Sequence, residues 1–155
     1  MATPELAARY PDANSLREAP LLFDDSLADF RLDADWSTWF RAVGIDFTPE
    51  HGSRFSQSDH VVDAAMAGAG IALGRRSMVV TELHQGRLVA PYGIALLTGA
   101  RFRFLCRLGT ETQPHIAAFR DWVLGEVEKT ASSADGFQMV PVADVKRRSE
   151  KATPH

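Results

Sequence analysis

Three things are scarce in this 155-residue chain: cysteine, long apolar runs and an excess of basic charge. Its single cysteine, Cys106, excludes an internal disulfide and a metal site built on two thiolates. No apolar run approaches the roughly 18 residues that a membrane-spanning helix needs. The N-terminus has no basic flank followed by an apolar stretch, so a secretory signal is not expected. We therefore expect a cytoplasmic protein that does not associate with a membrane.

The charge balance argues against nucleic-acid binding by this chain alone. It has 17 lysines and arginines against 20 aspartates and glutamates, a net charge of -3. A DNA-binding module normally presents a basic face, because each phosphate contact needs a cation to displace counterions. The one dense basic cluster, at residues 146–148 with Lys151 close by, falls in a polar stretch typical of a solvated end.

The apolar content of 45% is enough to fill the core of one compact domain or of two small lobes. Short apolar runs alternate with helical periodicity in units of about 20 to 30 residues, which predicts an α/β fold with a largely parallel sheet. From residue 132 onward the periodicity is lost, which predicts a disordered tail over 132–155. The strands are expected near residues 21–23, 53–56, 71–73, 87–89, 95–97 and 101–105.

One amphipathic helix is especially well marked. Asp35 is its expected N-cap, Trp36 and Trp39 share one face, and Gly44 is the expected stop. Two tryptophans on one face could stack on a ligand, although at this spacing most such residues belong to the core.

A catalytic or metal-binding constellation is not apparent. No two of the five histidines share a helix face at i, i+4, and the adjacent pair Asp59 and His60 points apart on a helix. The glycines at 68, 70 and 74 follow a helix instead of opening one, unlike a phosphate-binding loop. We therefore expect no enzyme activity, no metal and no cofactor.

The most suggestive segment is residues 55–59, where two hydroxyls and an amide lie between a strand and a helix. Ligands of open α/β sheets bind beyond the carboxyl ends of the strands, and a helix N-terminus favours negative charge. Ser58 is also a plausible helix cap, and the two roles are compatible.

Several segments together resemble the LysR-type transcriptional regulators, in the branch of the glycine-cleavage activator and the β-lactamase regulators. The matching motifs run in order over about residues 3–130. They are LLF with DWSTWFRAVG (21–23 and 35–44), FSQS with AAMAGAGIALG (55–58 and 64–74), LHQGRLVAPY (83–92) and IAAFRDWV (116–123). Tyr92 stands where that family usually has phenylalanine.

The resemblance implies a type 2 periplasmic-binding-protein-like lobe and a non-catalytic sensor of a small, anionic effector. It implies that residues 1–20 are the remnant of a first lobe, 21–110 the second lobe, and 111–131 a helix returning to the first. The helix-turn-helix that would bind promoter DNA is absent from the chain, so we expect an N-terminally truncated fragment. An apolar face left by the missing lobe would favour a homo-oligomer.

The resemblance also implies the effector site. Ser56, Gln57 and Ser58 match the start of the effector-facing helix. The strand position that faces the ligand is matched by Phe102, Arg103 or Phe104. An arginine there would favour a carboxylate. The alternative to a regulator is a transport protein, of which this chain would be a solute-binding lobe with the same fold. Such a protein would carry a secretory signal or a lipid anchor.

Overall fold

The computed structural model describes residues 1–26, 32–131 and 136–152. The chain divides into two units, one formed by Met1–Gly99 with Phe137–His155 and the other by Ala100–Gly136. The expected α/β architecture with parallel sheets is confirmed.

The first unit is built on parallel strands and short helices. Its helices are α1 (Pro4–Ala8), α2 (Trp36–Ala42), α3 (Ser58–Met66), α4 (Arg76–His84) and α6 (Val142–Ala152), with a 3₁₀ turn over Ser15–Glu18. Its strands are β1 (Leu21–Asp24), β2 (Ser53–Phe55), β3 (Ile71–Ala72), β4 (Ile94–Leu97) and β5 (Gln138–Pro141). β2, β1 and β3 form a parallel three-stranded sheet in that order, and β4 pairs with β5 in parallel.

Strand β1 lies in the middle of its sheet and supplies both faces of the core. Leu21 packs into a cluster with the aromatic residues of α2, whereas Leu22 packs with Val61 and Ala65 of α3. Successive strand residues point to opposite faces, so one apolar pair serves both layers. A strand that is buried on both faces needs apolar residues at consecutive positions, which is why the short apolar run at 21–23 predicts β1 correctly.

Helix α2 forms as its sequence predicts. Asp35 accepts a hydrogen bond from the Thr38 amide at 2.7 Å, and Gly44 adopts a φ of 80° beyond the helix end. Trp36 and Trp39 are 3% and 4% exposed, and the indole of Trp36 donates to the Leu22 carbonyl at 2.9 Å. The two tryptophans are therefore core residues and not a stacking platform for a ligand.

Two glycines after α3 have different structural causes. Gly68 ends the helix in the left-handed region, with a φ of 75°. Gly70 is required by close approach, since a Cβ there would lie 2.4 Å from the Pro20 carbonyl oxygen. That same carbonyl accepts the Ile71 amide at 2.8 Å and so joins β3 to β1.

The tail is a correction to the sequence analysis. Residues 136–152 are not disordered: β5 pairs with β4, and α6 buries Val142 and Val145. The sequence does not reveal this order because α6 is mostly polar: among residues 142–148 only Val142 and Val145 are buried, and Arg147 and its two neighbours are exposed. The remaining expected residues of the tail, 132–135 and 153–155, lie outside the described part, as does most of the predicted loop at 25–33.

The second unit contains α5 (Pro114–Ala131) and the segment that precedes it. The strand expected at 101–105 is absent from the described residues, where this segment is irregular and exposed. Its alternation predicts a strand only if a partner strand is available, and none of the described strands pairs with it. The strand expected at 87–89 is likewise reduced to one bridge between Ala2 and Val89. No helix in the described ranges is long and apolar enough to cross a lipid bilayer.

Candidate functional site

Polar side chains gather at the carboxyl edge of the three-stranded sheet. The parallel strands all end at this edge, and each is followed within a few residues by a charged or hydroxyl side chain. These side chains are Asp24 at the end of β1, Ser26 just beyond it, Ser58 at the start of α3 after β2, and Arg75 before α4 after β3. We call these four residues the edge cluster.

Asp24 is the centre of the edge cluster, and only 8% of its side chain is exposed. One carboxylate oxygen, Oδ1, accepts the Ser26 amide at 3.0 Å and the Ser26 hydroxyl at 2.5 Å. The other, Oδ2, accepts the Ser58 hydroxyl. The two hydroxyl oxygens lie 2.9 Å apart. A buried carboxylate is stable here because it is hydrogen-bonded and faces a cation.

That cation is the guanidinium of Arg75. Its Nη2 donates to the Ser58 hydroxyl and, at 3.3 Å, to the Ser26 hydroxyl, and lies 3.8 Å from Oδ2 of Asp24. Its Nε is buried, yet no described residue accepts a hydrogen bond from it. The side chain as a whole is 39% exposed, so the guanidinium is within reach of a small molecule from solvent. A guanidinium with an unused Nε–H donor is suited to a planar acid group.

Ser58 is not the helix cap that its position suggests. It is the first helical residue of α3, with Gln57 at the N-cap position, and in the described chain the Gln57 side chain makes no capping hydrogen bond. The Ser58 hydroxyl is instead turned into the edge cluster and is 8% exposed. The positive end of the α3 dipole therefore lies beside the Arg75 guanidinium, and both favour an anion.

A second ion pair borders the edge cluster. Arg54 of β2 donates to both carboxylate oxygens of Asp25, at 3.0 and 2.8 Å, and its guanidinium lies 4.6 Å from the centre of the Phe23 ring. Both side chains are about half exposed, so this pair is screened by solvent and contributes little to stability.

The residues expected at the site from sequence are only partly brought together. Ser58 lies in the edge cluster, and Ser56 and Gln57 are exposed beside it in sequence. Phe102, 92% exposed, and Arg103 lie in the second unit, so their part in the site stays a prediction.

Sequence reasoning missed Asp24, Ser26 and Arg75. A usable signal was present, since each follows a predicted parallel strand within a few residues, where ligands of open α/β sheets bind. Arg75 directly follows the glycine-rich segment 68–74. The glycines were interpreted as turn residues, and the arginine after them was not considered as a site residue.

A shallow groove elsewhere in the first unit does not include any of these residues. Its lining residues are Asn14, Ser15, Arg17, Glu18 and Phe47. The Arg17 guanidinium lies over the Phe47 ring, 5.1 Å from its centre. We assign no function to this groove.

Comparison with known proteins shows the family of the chain. The family model described as the LysR substrate binding domain matches residues 1–128. The chain belongs to the LysR substrate-binding domain family. It is 35% identical over 127 residues to the glycine cleavage system transcriptional activator of Escherichia coli K12, covering 78% of this chain and 41% of that protein. It is also 35% identical over 118 residues to the transcriptional activator AmpR of Providencia stuartii, covering 76% of this chain and 40% of that one.

Solved structures agree on the fold. The effector domain of AmpR from Pseudomonas aeruginosa superimposes with a TM-score of 0.56 at 25% identity, over 87% of this chain and 61% of that chain. The AmpR effector-binding domain from Citrobacter freundii gives the same TM-score at 23% identity, over 83% of this chain and 62% of that chain. The expected LysR effector-domain fold is confirmed, and the expected sensor function is supported over the transport alternative. This LysR domain spans about 41% of the length of the E. coli relative, and these relatives are transcriptional regulators and not enzymes by name.

Proposed function

We propose that this chain is the part of a LysR-type regulator that senses a small anionic effector, and that the edge cluster holds the acid group of that effector. The observation that carries the proposal is Arg75, whose buried Nε has no acceptor among the described residues while its side chain remains partly open to solvent. A planar carboxylate would satisfy such a guanidinium with two parallel hydrogen bonds.

The rest of the binding surface follows from the family resemblance. Ser56 and Gln57, exposed at the start of α3, would line one wall next to Ser58. By the same resemblance, either Phe102 or Arg103 would contact the effector, and an arginine there would favour a carboxylate. Affinity of this chain alone would be low, because a one-sided contact buries little of a small ligand.

The remaining expectations concern the whole regulator. The effector would act without being chemically changed, in the cytoplasm, and promoter DNA would be bound by a different part of the protein. Residues 21–110 would form the second effector lobe, with 1–20 as the remnant of the first. Residues 111–131 would return to that first lobe and, in this chain, assemble with another copy.

The test is a nitrogen–proton NMR titration of the isolated chain with small acids and their uncharged amides, for example acetate against acetamide and succinate against succinamide. The acids are expected to shift the amide signal of Ser58 and the Nε–H signal of Arg75, and the amides are not. Shifts that occur equally with both members of a pair, or that avoid these two signals, would reject an anion site at this edge.

A further inference from the structure

The hydrogen atoms of the edge cluster can be counted, and the count shows which groups are left to meet a ligand. Each serine hydroxyl has one hydrogen, and each directs it to the Asp24 carboxylate. The lone pairs of both hydroxyls are then left for Nη2 of Arg75. Asp24 therefore receives three donors, from the Ser26 amide and the two hydroxyls, and also faces the cation.

This is the set of partners that an effector's acid group would need. Two hydroxyl donors and a guanidinium around one carboxylate form a complete anion site, and in this conformation the carboxylate belongs to the protein. An incoming anion meets hydroxyls that present only lone pairs, together with a guanidinium that already faces the Asp24 carboxylate at 3.8 Å. The charges of Asp24 and Arg75 cancel, so small anions are expected to bind the edge cluster only weakly.

We propose that Asp24 is an internal competitor of the effector: its carboxylate occupies the anion position of the edge cluster, and an effector binds by displacing it. This rests on the function proposed above and adds the regulation of the same site. When Asp24 is displaced, the hydroxyls of Ser26 and Ser58 donate to the acid group of the effector instead. Because Asp24 is the last residue of β1, effector binding is coupled to a rearrangement of the end of that strand. An effector therefore needs further contacts to offset the loss of the Asp24 interactions, whereas small anions such as sulfate and acetate bind only at high concentration.

The experiment compares sulfate and acetate binding by three forms of the isolated chain, followed by the Arg75 Nε–H signal. Asp24→Asn keeps the size of the side chain but removes the competing charge. It is expected to bind both anions at about tenfold lower concentration than the unmodified chain, the scale on which removing a like charge from a partly buried site acts. Asp25→Asn is the matched control, since it removes the same charge one residue away, where the carboxylate pairs with Arg54 instead of Arg75.

The outcomes separate this proposal from the proposed function. Tighter anion binding by Asp24→Asn, but not by Asp25→Asn, supports competition. Equally tighter binding by both variants would be an effect of net charge and would overturn the competition. Binding by all three forms with one affinity also overturns the competition and leaves the sensor function standing. Absence of binding in every form overturns both.

A measurement without substitution covers the case in which Asp24→Asn does not fold. In the unmodified chain, saturating acetate is expected to shift the side-chain carboxyl carbon signal of Asp24 in step with the Arg75 Nε–H signal, while that of Asp25 stays in place. An Arg75 shift with an unmoved Asp24 carboxyl would overturn displacement.

Discussion

The hydroxyl oxygens of Ser26 and Ser58 lie 2.9 Å apart although 32 positions separate the two residues in the chain. The contact joins the end of β1 to the start of α3 across the carboxyl edge of the sheet, and both hydroxyls meet the same aspartate and the same arginine. The end of β1 and the start of α3 are thus connected by the same polar side chains that form the candidate site. Substitutions here are expected to change binding and stability together, and suitable controls are needed to separate them.

Ser58→Ala tests whether this serine is a helix cap or a member of the site. Loss of the hydroxyl leaves Asp24 with one donor fewer, so we expect a loss of about 1–2 kcal/mol in the free energy of unfolding and a clear weakening of anion binding. Asp35→Ala is the control, because it removes a true cap from α2 and should cost about 1 kcal/mol with binding unchanged. Urea unfolding and an anion titration give the two quantities. If both variants lose only stability, Ser58 has no role in binding.

Arg75→Gln is expected to abolish binding of small acids, because it removes the cation that faces the acid group. Arg75→Lys keeps the charge but loses the planar fork, and should bind with intermediate affinity. Arg54→Gln removes an equal charge nearby without touching the edge cluster, so its affinity should fall only slightly. Calorimetry or NMR titration of the three variants ranks them, and a fall of equal size in Arg54→Gln would contradict a specific role for Arg75.

The local elements could be predicted wherever a turn signal or a period fixed them. Asp35 and Gly44 bound α2 as expected, and Leu21 with Leu22 mark a buried strand, because capping and side-chain periodicity act over a few residues. The family and its fold followed from the order of several weak motifs, each compatible with the others.

The parts that could not be predicted depend on partners distant in sequence. Arg75 and Ser26 are 49 positions apart in sequence. They meet only because β3, which precedes Arg75, pairs with β1, which precedes Ser26. α6 is ordered because its two valines reach the core, which no local pattern in a basic stretch reveals. The segment 101–105 shows the reverse case, since its alternation fits a strand but no described strand pairs with it.

Tyr92→Phe tests a hydrogen bond at the position where this chain departs from its family's usual phenylalanine. The Tyr92 hydroxyl donates to the Tyr10 carbonyl at 2.8 Å, and its loss should lower stability by about 1 kcal/mol at neutral pH. Burial, with the charge of Asp12 second, raises the pKa of Tyr92 above its ordinary value. The fold thus favours the neutral phenol, and this stabilisation is present below pH 10 and is lost as the pH rises through the folded-state pKa. Urea unfolding at pH 8 and pH 11 should therefore show the advantage of tyrosine shrinking; a gap that widens would contradict it.

Trp122→Arg tests the proposed self-association through α5. Phe119 and Trp122 stack with ring centres 5.7 Å apart, yet they are 54% and 60% exposed. Apolar patches of this kind promote association, so the charged variant should shift the sedimentation of the chain toward the monomer. Leu108→Arg is the control, because Leu108 is 95% exposed outside α5. A monomeric unmodified chain, or an equal effect of the two variants, would contradict assembly through α5.

Val145→Asp tests whether α6 belongs to the folded unit. Val145 is 4% exposed, and α6 packs against α2, with Lys146 paired to Asp33 at its side. An unpaired carboxylate at this buried position should lower the free energy of unfolding by about 2–4 kcal/mol. Ala143→Asp is the matched control: it places the same charge in the same first turn of α6 but at an exposed position, and should stay within about 0.5 kcal/mol of the unmodified chain. The helix dipole acts alike on both aspartates, so the difference between the two variants isolates burial. If α6 were only a solvated tail, urea unfolding would give the two variants the same midpoint.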